Sequence, residues 1–336
     1  MTTTIESTTS ARRRPVPRLA RLRDFTLVPV IILLLIVGAL VDPVFLTSAN
    51  LINVLQQQSE LSLLVLAETL ILIGGRFDLS LESTVGLAPA LGVALVIPAA
   101  SHGIGTEWSS ALAVPICLLV GVLVGALNGV LILRFGLSAF IVTLGMLTTL
   151  RGLQIGITGG QSLFDLPLSV TYLGSAIWLG LPASVWLCGV LFAAGIAVLG
   201  YFRHGRAVYA IGGNVDAARA AGVRTDRVMF GVFMIAGLLA ALAGLLMTGR
   251  LGSIAASQGN QMIFNVFAAA VIGGVSMDGG KGTMFGALCG VLVLGLVTNI
   301  LTLAGVTAQW FMAIYGVIIL VALVIARLTS GKAQDS

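Results

Sequence analysis

Residues 111–133 read ALAVPICLLVGVLVGALNGVLIL, 23 consecutive positions without a charged side chain. A helix rises about 1.5 Å per residue, so this stretch reaches about 34 Å, enough to cross a hydrocarbon core of about 30 Å. Inside a bilayer the backbone must satisfy its own hydrogen bonds, and a helix does so within one segment. The stretch therefore predicts a membrane-spanning helix. Applied outward from it, the same measure gives ten candidates: 25–41, 61–75, 84–100, 111–133, 137–150, 183–201, 228–247, 262–275, 284–304 and 309–326. The second, fifth and eighth fall short of a full crossing. Short or glycine-interrupted spans are where transporters break helices to line a polar cavity.

Composition agrees. Of 336 residues, 58% are hydrophobic and 9% are charged, against about 25% charged in soluble domains. A soluble enzyme, a disordered chain and a nucleic-acid binder are excluded. The net charge of +5 is concentrated by position: six of the 18 basic residues precede residue 24, and five more lie between Arg203 and Arg227. Lys and Arg mark the cytoplasmic side. With the N-terminus inside, ten spans leave only Arg151 and Arg250 facing out. The expected organisation is a basic cytoplasmic tail (1–24), an all-α transmembrane domain (25–327) with a cytoplasmic loop at 202–227, and a short cytoplasmic tail (328–336). Neither that loop nor the outward loop, roughly 158–182, can house a catalytic domain. Cys117, Cys188 and Cys289 lie in apolar stretches and read as packing residues, not as a disulfide or metal site.

Glycine is abundant at 42 residues, and much of it lies within spans. Gly121 and Gly125, or Gly282, Gly286 and Gly290, share helix faces at a spacing of four, which lets a neighbouring backbone approach. Gly74-Gly75 with Asp78 faintly echoes Gly273-Gly274 with Asp278, a weak sign of an internal repeat.

Polar residues in so apolar a chain are the candidate pathway. Asn50–Gln58 reads as a polar helix start capped by Ser48 or Asn50, with Asn53 either interfacial or cavity-lining. Glu68 lies mid-span, where an acid costs about 2.5–3.5 kcal/mol to insert. A pair with Arg76, a protonated acid, a solute contact and a proton relay are all open to it. In Gly74-Gly75-Arg76-Phe77-Asp78-Leu79-Ser80-Leu81-Glu82 the glycines end one helix, Asp78 or Ser80 caps the next, and Glu82 suits its first turn. Asn128, Thr143 and Asn299 are lone polar groups within spans, for which interhelical hydrogen bonds are the ordinary role. In the loop 202–227, Asn214 is a good N-cap, residues 217–221 favour helix, and Gly222 is a natural stop. A short helix there reads as a docking element for a cytoplasmic partner. Gly279-Gly280-Lys281-Gly282-Thr283 imitates a phosphate loop, but Val275 occupies the first glycine position and Gly282 follows the lysine, so it is a turn.

Taken together the motifs resemble one family, the permease subunits of bacterial ribose-type ABC importers, from about Phe45 to Arg327. The carriers are Asn50-Leu51-Ile52-Asn53-Val54-Leu55, Asp78-Leu79-Ser80, Asn128-Gly129, Phe140-Ile141-Val142-Thr143-Leu144-Gly145-Met146 with Arg151-Gly152, Ala210-Ile211-Gly212-Gly213-Asn214 with Ala217-Ala218-Arg219 and Gly222, and Val271-Ile272-Gly273-Gly274-x-Ser276 with Gly279-Gly280-x-Gly282. The resemblance implies the permease fold of the ribose and branched-chain amino-acid group, about ten spans in the bacterial inner membrane. It also implies pairing with a second permease copy or paralogue, ATPase subunits below and an extracytoplasmic sugar-binding protein above. ATP would be bound by the partner, with no cofactor and no catalysis in this chain. Arg203, Gly205, Arg206, Asn214, Ala218, Arg219 and Gly222 would form the ATPase-coupling loop. Asn53, Glu68, Asp78, Ser80, Asn128, Thr143, Asn265 and Asn299 are the candidate translocation pathway. The chain departs from the family pattern in three places: Arg76 and Glu82 stand where glycines usually flank Asp-Leu-Ser, Ile263 and Asn265 replace a Glu and an Asp, and Glu68 replaces a neutral residue. The solute is therefore open among sugars, sugar alcohols and charged relatives. Outside this reading stand an ion-coupled secondary transporter with Glu68 as its acid and a branched-chain amino-acid ABC permease. A membrane enzyme lacks any Ser/His or His/Asp constellation.

Overall fold

In the computed structural model, the structure describes residues 27–307 together with 309–311, 313–317, 320 and 324. The basic tail, Arg327, the tail 328–336 and part of the tenth candidate span lie outside them.

Among the described residues the chain is helical with one small hairpin. In order come α1 (Val28–Val41), α2 (Ser48–Ile73), α3 (Leu81–Ala94), α4 (Ala113–Gly129), α5 (Ala139–Thr158) and α6 (Leu168–Ser175). The strands β1 (Ile177–Trp178) and β2 (Leu181–Pro182) pair antiparallel. Then follow α7 (Ala183–Tyr201), α8 (Arg203–Gly213), α9 (Val215–Ala220), α10 (Thr225–Leu251), α11 (Met262–Ile272) and α12 (Met284–Leu303). Five helical segments among the described residues are long and apolar enough to cross a membrane: Ser110–Arg134, Ala139–Thr158, Ala183–Tyr201, Thr225–Leu251 and Met284–Leu303. A polytopic membrane protein follows.

Three expectations change. The polar stretch 50–58 and the short span 61–75 form one helix, α2, of 26 residues and about 39 Å. Its cap is Thr47, whose Oγ1 accepts from the Asn50 amide at 3.4 Å, and not Ser48 or Asn50. The fifth candidate also reaches full length, 20 residues to Thr158. Only the eighth stays short of the three, 11 residues in α11. Polar residues misled the sequence reading because the hydropathy of a helix buried among other helices need not be high, only satisfied.

α2 and α10 form the centre. From Ser59 to Ile73 nearly every residue of α2 is buried, on all faces, because α10, α12, α11 and α7 surround it. α10 packs most extensively on α4. The contact is backbone to backbone: a Cβ on Gly121 would collide with the Gly237 carbonyl, one on Gly125 with the Phe233 carbonyl, and one on Gly237 with the Gly121 carbonyl. Lipid is as apolar as Leu, so close van der Waals approach, not burial of oil, holds such helices together. Gly290 lies against the Ala269 carbonyl in the same way, joining α12 to α11.

The echo around the paired glycines has a structural form. After α2, Gly74 N donates to Leu70 O, Gly75 N to Leu72 O and Arg76 N to Ile71 O. After α11, Gly273, Gly274 and Val275 repeat that pattern onto Ala269, Val271 and Ala270. Gly75 (φ 75°) and Gly274 (φ 78°) supply the left-handed residue that such a helix stop requires.

Candidate translocation site

The α2 stop turns the chain so that the backbone of Asp78, not the side chain of Arg76, meets Glu68: the Asp78 amide donates to Glu68 Oε1 at 3.4 Å. A Glu68–Arg76 pair, one of the readings open to Glu68, is absent among the described ion pairs. Asp78 Oδ1 accepts from the Ser80 amide (2.9 Å) and the Ser80 hydroxyl (2.6 Å). Asn128 Nδ2 then bridges Asp78 Oδ2 (3.0 Å) and Ser80 Oγ (2.8 Å). Ser80 holds the N-cap position of α3 without a side-chain cap bond, its hydroxyl being given to Asp78. Glu68, Asp78, Ser80 and Asn128 thus form one buried cluster joining α2, the α2–α3 turn and α4. Asn128 stands just before a π-helical turn at Val130–Arg134. Glu68 Oε2 and Asn128 Oδ1 are buried without a partner among the described residues.

The remaining pathway candidates disperse. Asn53 is exposed. Thr143 returns its hydroxyl to the Ala139 carbonyl at 2.8 Å. Asn299 and Asn50 exchange reciprocal amide bonds of 2.8 and 2.9 Å. Asn265 lines a polar cavity with Gln57, Gln58, Arg250, Thr298 and Tyr315.

Two charge pairs escaped the sequence reading. Arg250 makes a bidentate bond to Glu60, 2.6 Å from Nε to Oε1 and 2.9 Å from Nη2 to Oε2. Arg151 reaches Glu82 at 3.5 Å and donates from Nη1 to Gln154 Oε1 (2.9 Å) and the Gln258 carbonyl (2.7 Å). Glu82 Oε2 also accepts the Ile263 amide at 3.1 Å, tying α3 to the start of α11. The two arginines left facing outward were the available signal, since a charge at membrane depth requires a counter-charge. Separations of 69 and 190 residues hid which acids supply it.

The expected short helix is α9. Asn214 Oδ1 accepts the Ala217 amide at 2.9 Å, and Gly222 ends the turn at φ 82°. α8 precedes it, a helix that the residue pattern had not announced. Gly205 of α8 packs on the Val198 carbonyl, Ala218 of α9 is buried, and Arg203 and Arg206 are exposed. Arg219 stays at the surface between Asp216 (3.7 Å) and Asp226 (3.5 Å), an arrangement that leaves much of it open to a partner. The connection between α8 and α9 is wedged into the helix stops. A Cβ on Gly212 would strike the Ile73 carbonyl, and Gly280 N donates to that same carbonyl at 2.8 Å. Tyr209 gives its hydroxyl to the Gly282 carbonyl at 2.7 Å. The α8–α9 element, the α2 stop and the α11–α12 turn therefore meet at one glycine junction, five residues along the chain from Ile73 to Asp78. The Gly279–Thr283 segment is a turn, as its spacing indicated, and Thr283 caps α12.

The described residues thus form a small-residue membrane helical bundle with a buried polar cluster and a solvent-exposed short helix. Residues 50–323 match the family described as the branched-chain amino acid transport system / permease component, and the chain belongs to that family. It is 34% identical over 309 residues to the ribose import permease protein RbsC of Escherichia coli K12, covering 89% of this chain and 92% of that one. It is 32% identical to the Bacillus subtilis ribose import permease over 88% and 90% of the two chains. It is 33% identical to the autoinducer 2 import system permease protein LsrC of Yersinia pseudotuberculosis serotype O:1b over 90% and 84%. No solved structure matches the chain.

Proposed function

We propose that this chain is the membrane-spanning subunit of an ATP-binding cassette importer that moves a monosaccharide or related small polar solute into the cytoplasm. Two permease subunits pair in the inner membrane, each with about ten crossings and cytoplasmic termini. ATPase subunits dock below, an extracytoplasmic sugar-binding protein docks above, and ATP-driven closure alternates access between the two sides. Support for the crossings comes from the five long apolar helices, the shorter apolar helices α1, α3 and α11, the buried α2, and the helical residues after 308.

The observation that carries the reading is the capped, solvent-presented α9, held at the glycine junction against the stop of the central helix. A docked ATPase that pushes α9 acts directly on the turn that carries Asp78. Ribose and autoinducer 2 are what the named relatives import, and both are small and hydroxyl-rich, which favours a solute of that kind over a branched-chain amino acid.

The test is uptake in proteoliposomes containing the chain with its ATPase and binding protein. Replacing Arg219 or Gly222 by Glu is expected to abolish sugar uptake while ATP hydrolysis continues and insertion is normal. Uptake driven by a proton or sodium gradient without ATP would overturn the proposal, as would unaltered uptake in both variants.

A further inference from the structure

The polar groups at the other end of α2 form a second constellation, separate from the Glu68 cluster. Gln58 lies 15 residues before Ile73, so it stands about 22 Å along the helix from the glycine junction. Here α2, α11, α12 and the segment carrying Tyr315 surround a cavity of about 200 Å³ lined by Gln57, Gln58, Arg250, Asn265, Thr298 and Tyr315. A neighbouring cavity of about 350 Å³ shares Met262, Asn265 and Tyr315 with it. The second falls within the about 300–1,000 Å³ typical of small-molecule sites and the first below it.

The hydrogen bonding inside this cavity is incomplete in a directed way. Thr298 donates to the Leu294 carbonyl at 2.7 Å. Whichever hydroxyl donates in the 2.6 Å contact between Thr298 and Tyr315, the tyrosine oxygen keeps acceptor capacity. Gln58 Oε1 is buried with no partner among the described residues. Its side chain lies over Gly295, where a Cβ would come within 2.5 Å of Gln58 Cγ. Arg250 spends Nε and Nη2 on Glu60, which leaves the Nη1 donors. The site thus offers donors and acceptors side by side, while its one cation is already neutralised by a carboxylate only 5% exposed.

We infer that this cavity is a solute-binding station within the membrane domain, built for an uncharged polyhydroxylated molecule and selective against its anionic forms. A hydroxyl both donates and accepts, so it pairs equally with an arginine N–H, the Asn265 amide and the tyrosine oxygen that line the cavity. A carboxylate or phosphate finds no uncompensated positive charge there and faces the buried Glu60, and burying an unpaired charge is far costlier than burying a hydrogen-bonded hydroxyl. The inference rests on the importer reading above and adds the place and the charge selectivity of recognition.

The experiment has two arms. In the first, Asn265→Cys is labelled in proteoliposomes with a charged, water-soluble methanethiosulfonate; the native thiols are buried and serve as the background. Labelling is expected to be slowed at least fivefold by high concentrations of D-ribose, D-galactose or erythritol and left unchanged by D-ribonate. Labelling that is absent, or protection that is equal or stronger with D-ribonate, overturns the site. In the second, Gln58→Leu, Asn265→Leu and Tyr315→Phe are assayed in the complete transporter with the same uncharged solutes. Uptake is expected to fall about tenfold in the first two and severalfold in the third, with binding-protein-stimulated ATP hydrolysis retained. If the wild type transports and all three variants match it within twofold, the station is wrong and the importer reading stands. If the wild type shows no ATP-dependent uptake of any of them, both fall.

Discussion

Replacing Arg250 by Met isolates what the Glu60–Arg250 pair does for the bundle. In the native chain the carboxylate side chain is 5% exposed and the guanidinium 25% exposed. Glu60 belongs to the central helix α2 and Arg250 to the end of α10, so the bond fastens together the two helices on which the bundle is built. Removing the arginine leaves a buried carboxylate with no cation, which costs about 3–5 kcal/mol for such pairs. Replacing Glu60 by Leu is milder, because the arginine faces a polar cavity and can be hydrated there; about 1–2 kcal/mol is expected from the lost charge-assisted bonds. Glu60→Leu with Arg250→Met removes both charges and leaves apolar groups of similar size, and such double replacements are often close to neutral. Equilibrium unfolding of the purified protein in mixed detergent micelles gives the three free-energy differences. The double variant is expected to be at least about 2 kcal/mol more stable than the sum of the two single losses implies. Additive losses would refute the account, since they would mean that neither charge depends on the other.

Three further outcomes are expected. Gly125→Leu drives a side chain into the Phe233 carbonyl between α4 and α10 and should lower stability by about 1–3 kcal/mol or prevent insertion, read from the yield of monodisperse protein and its unfolding curve. Gly212→Val pushes the end of α8 off the Ile73 carbonyl; at least a tenfold loss of ATP-driven uptake per inserted protein is the expected result, and full uptake would disconnect α9 from α2. Asn128→Leu withdraws the donor that bridges Asp78 and Ser80 and should cost about 1–3 kcal/mol in the same unfolding assay.

The membrane class was legible because hydrophobicity over some 20 residues is a local property of the chain. The cap and stop of α9 were legible for the same reason: Asn214 and Ala217 are three residues apart, and Gly222 acts through its own φ. The packing role of Gly121 and Gly125 followed from helical spacing alone, although their partner did not. α2 was misjudged because its first half is polar. Asn50 turns out to be half of an amide pair with Asn299, so the half-buried, polar start of α2 is tied to α12 by a contact 249 residues apart.

The amino-acid sequence by itself determined that this is a helical membrane permease, that α2 stops at Gly74-Gly75, and that a short capped helix precedes Gly222. These depend on interactions among residues a few positions apart. The tertiary structure decided which polar groups meet: Glu68 with the Asp78 backbone, Asn128 with Asp78 and Ser80, Glu60 with Arg250, Glu82 with Arg151, and Gly212 with Ile73 and Gly280. Most of those contacts join residues 50 to 200 positions apart, where no periodicity operates. They arise because glycine seams set how closely α4, α10, α11 and α12 approach, and a buried polar group must then pair with whatever that approach brings within reach.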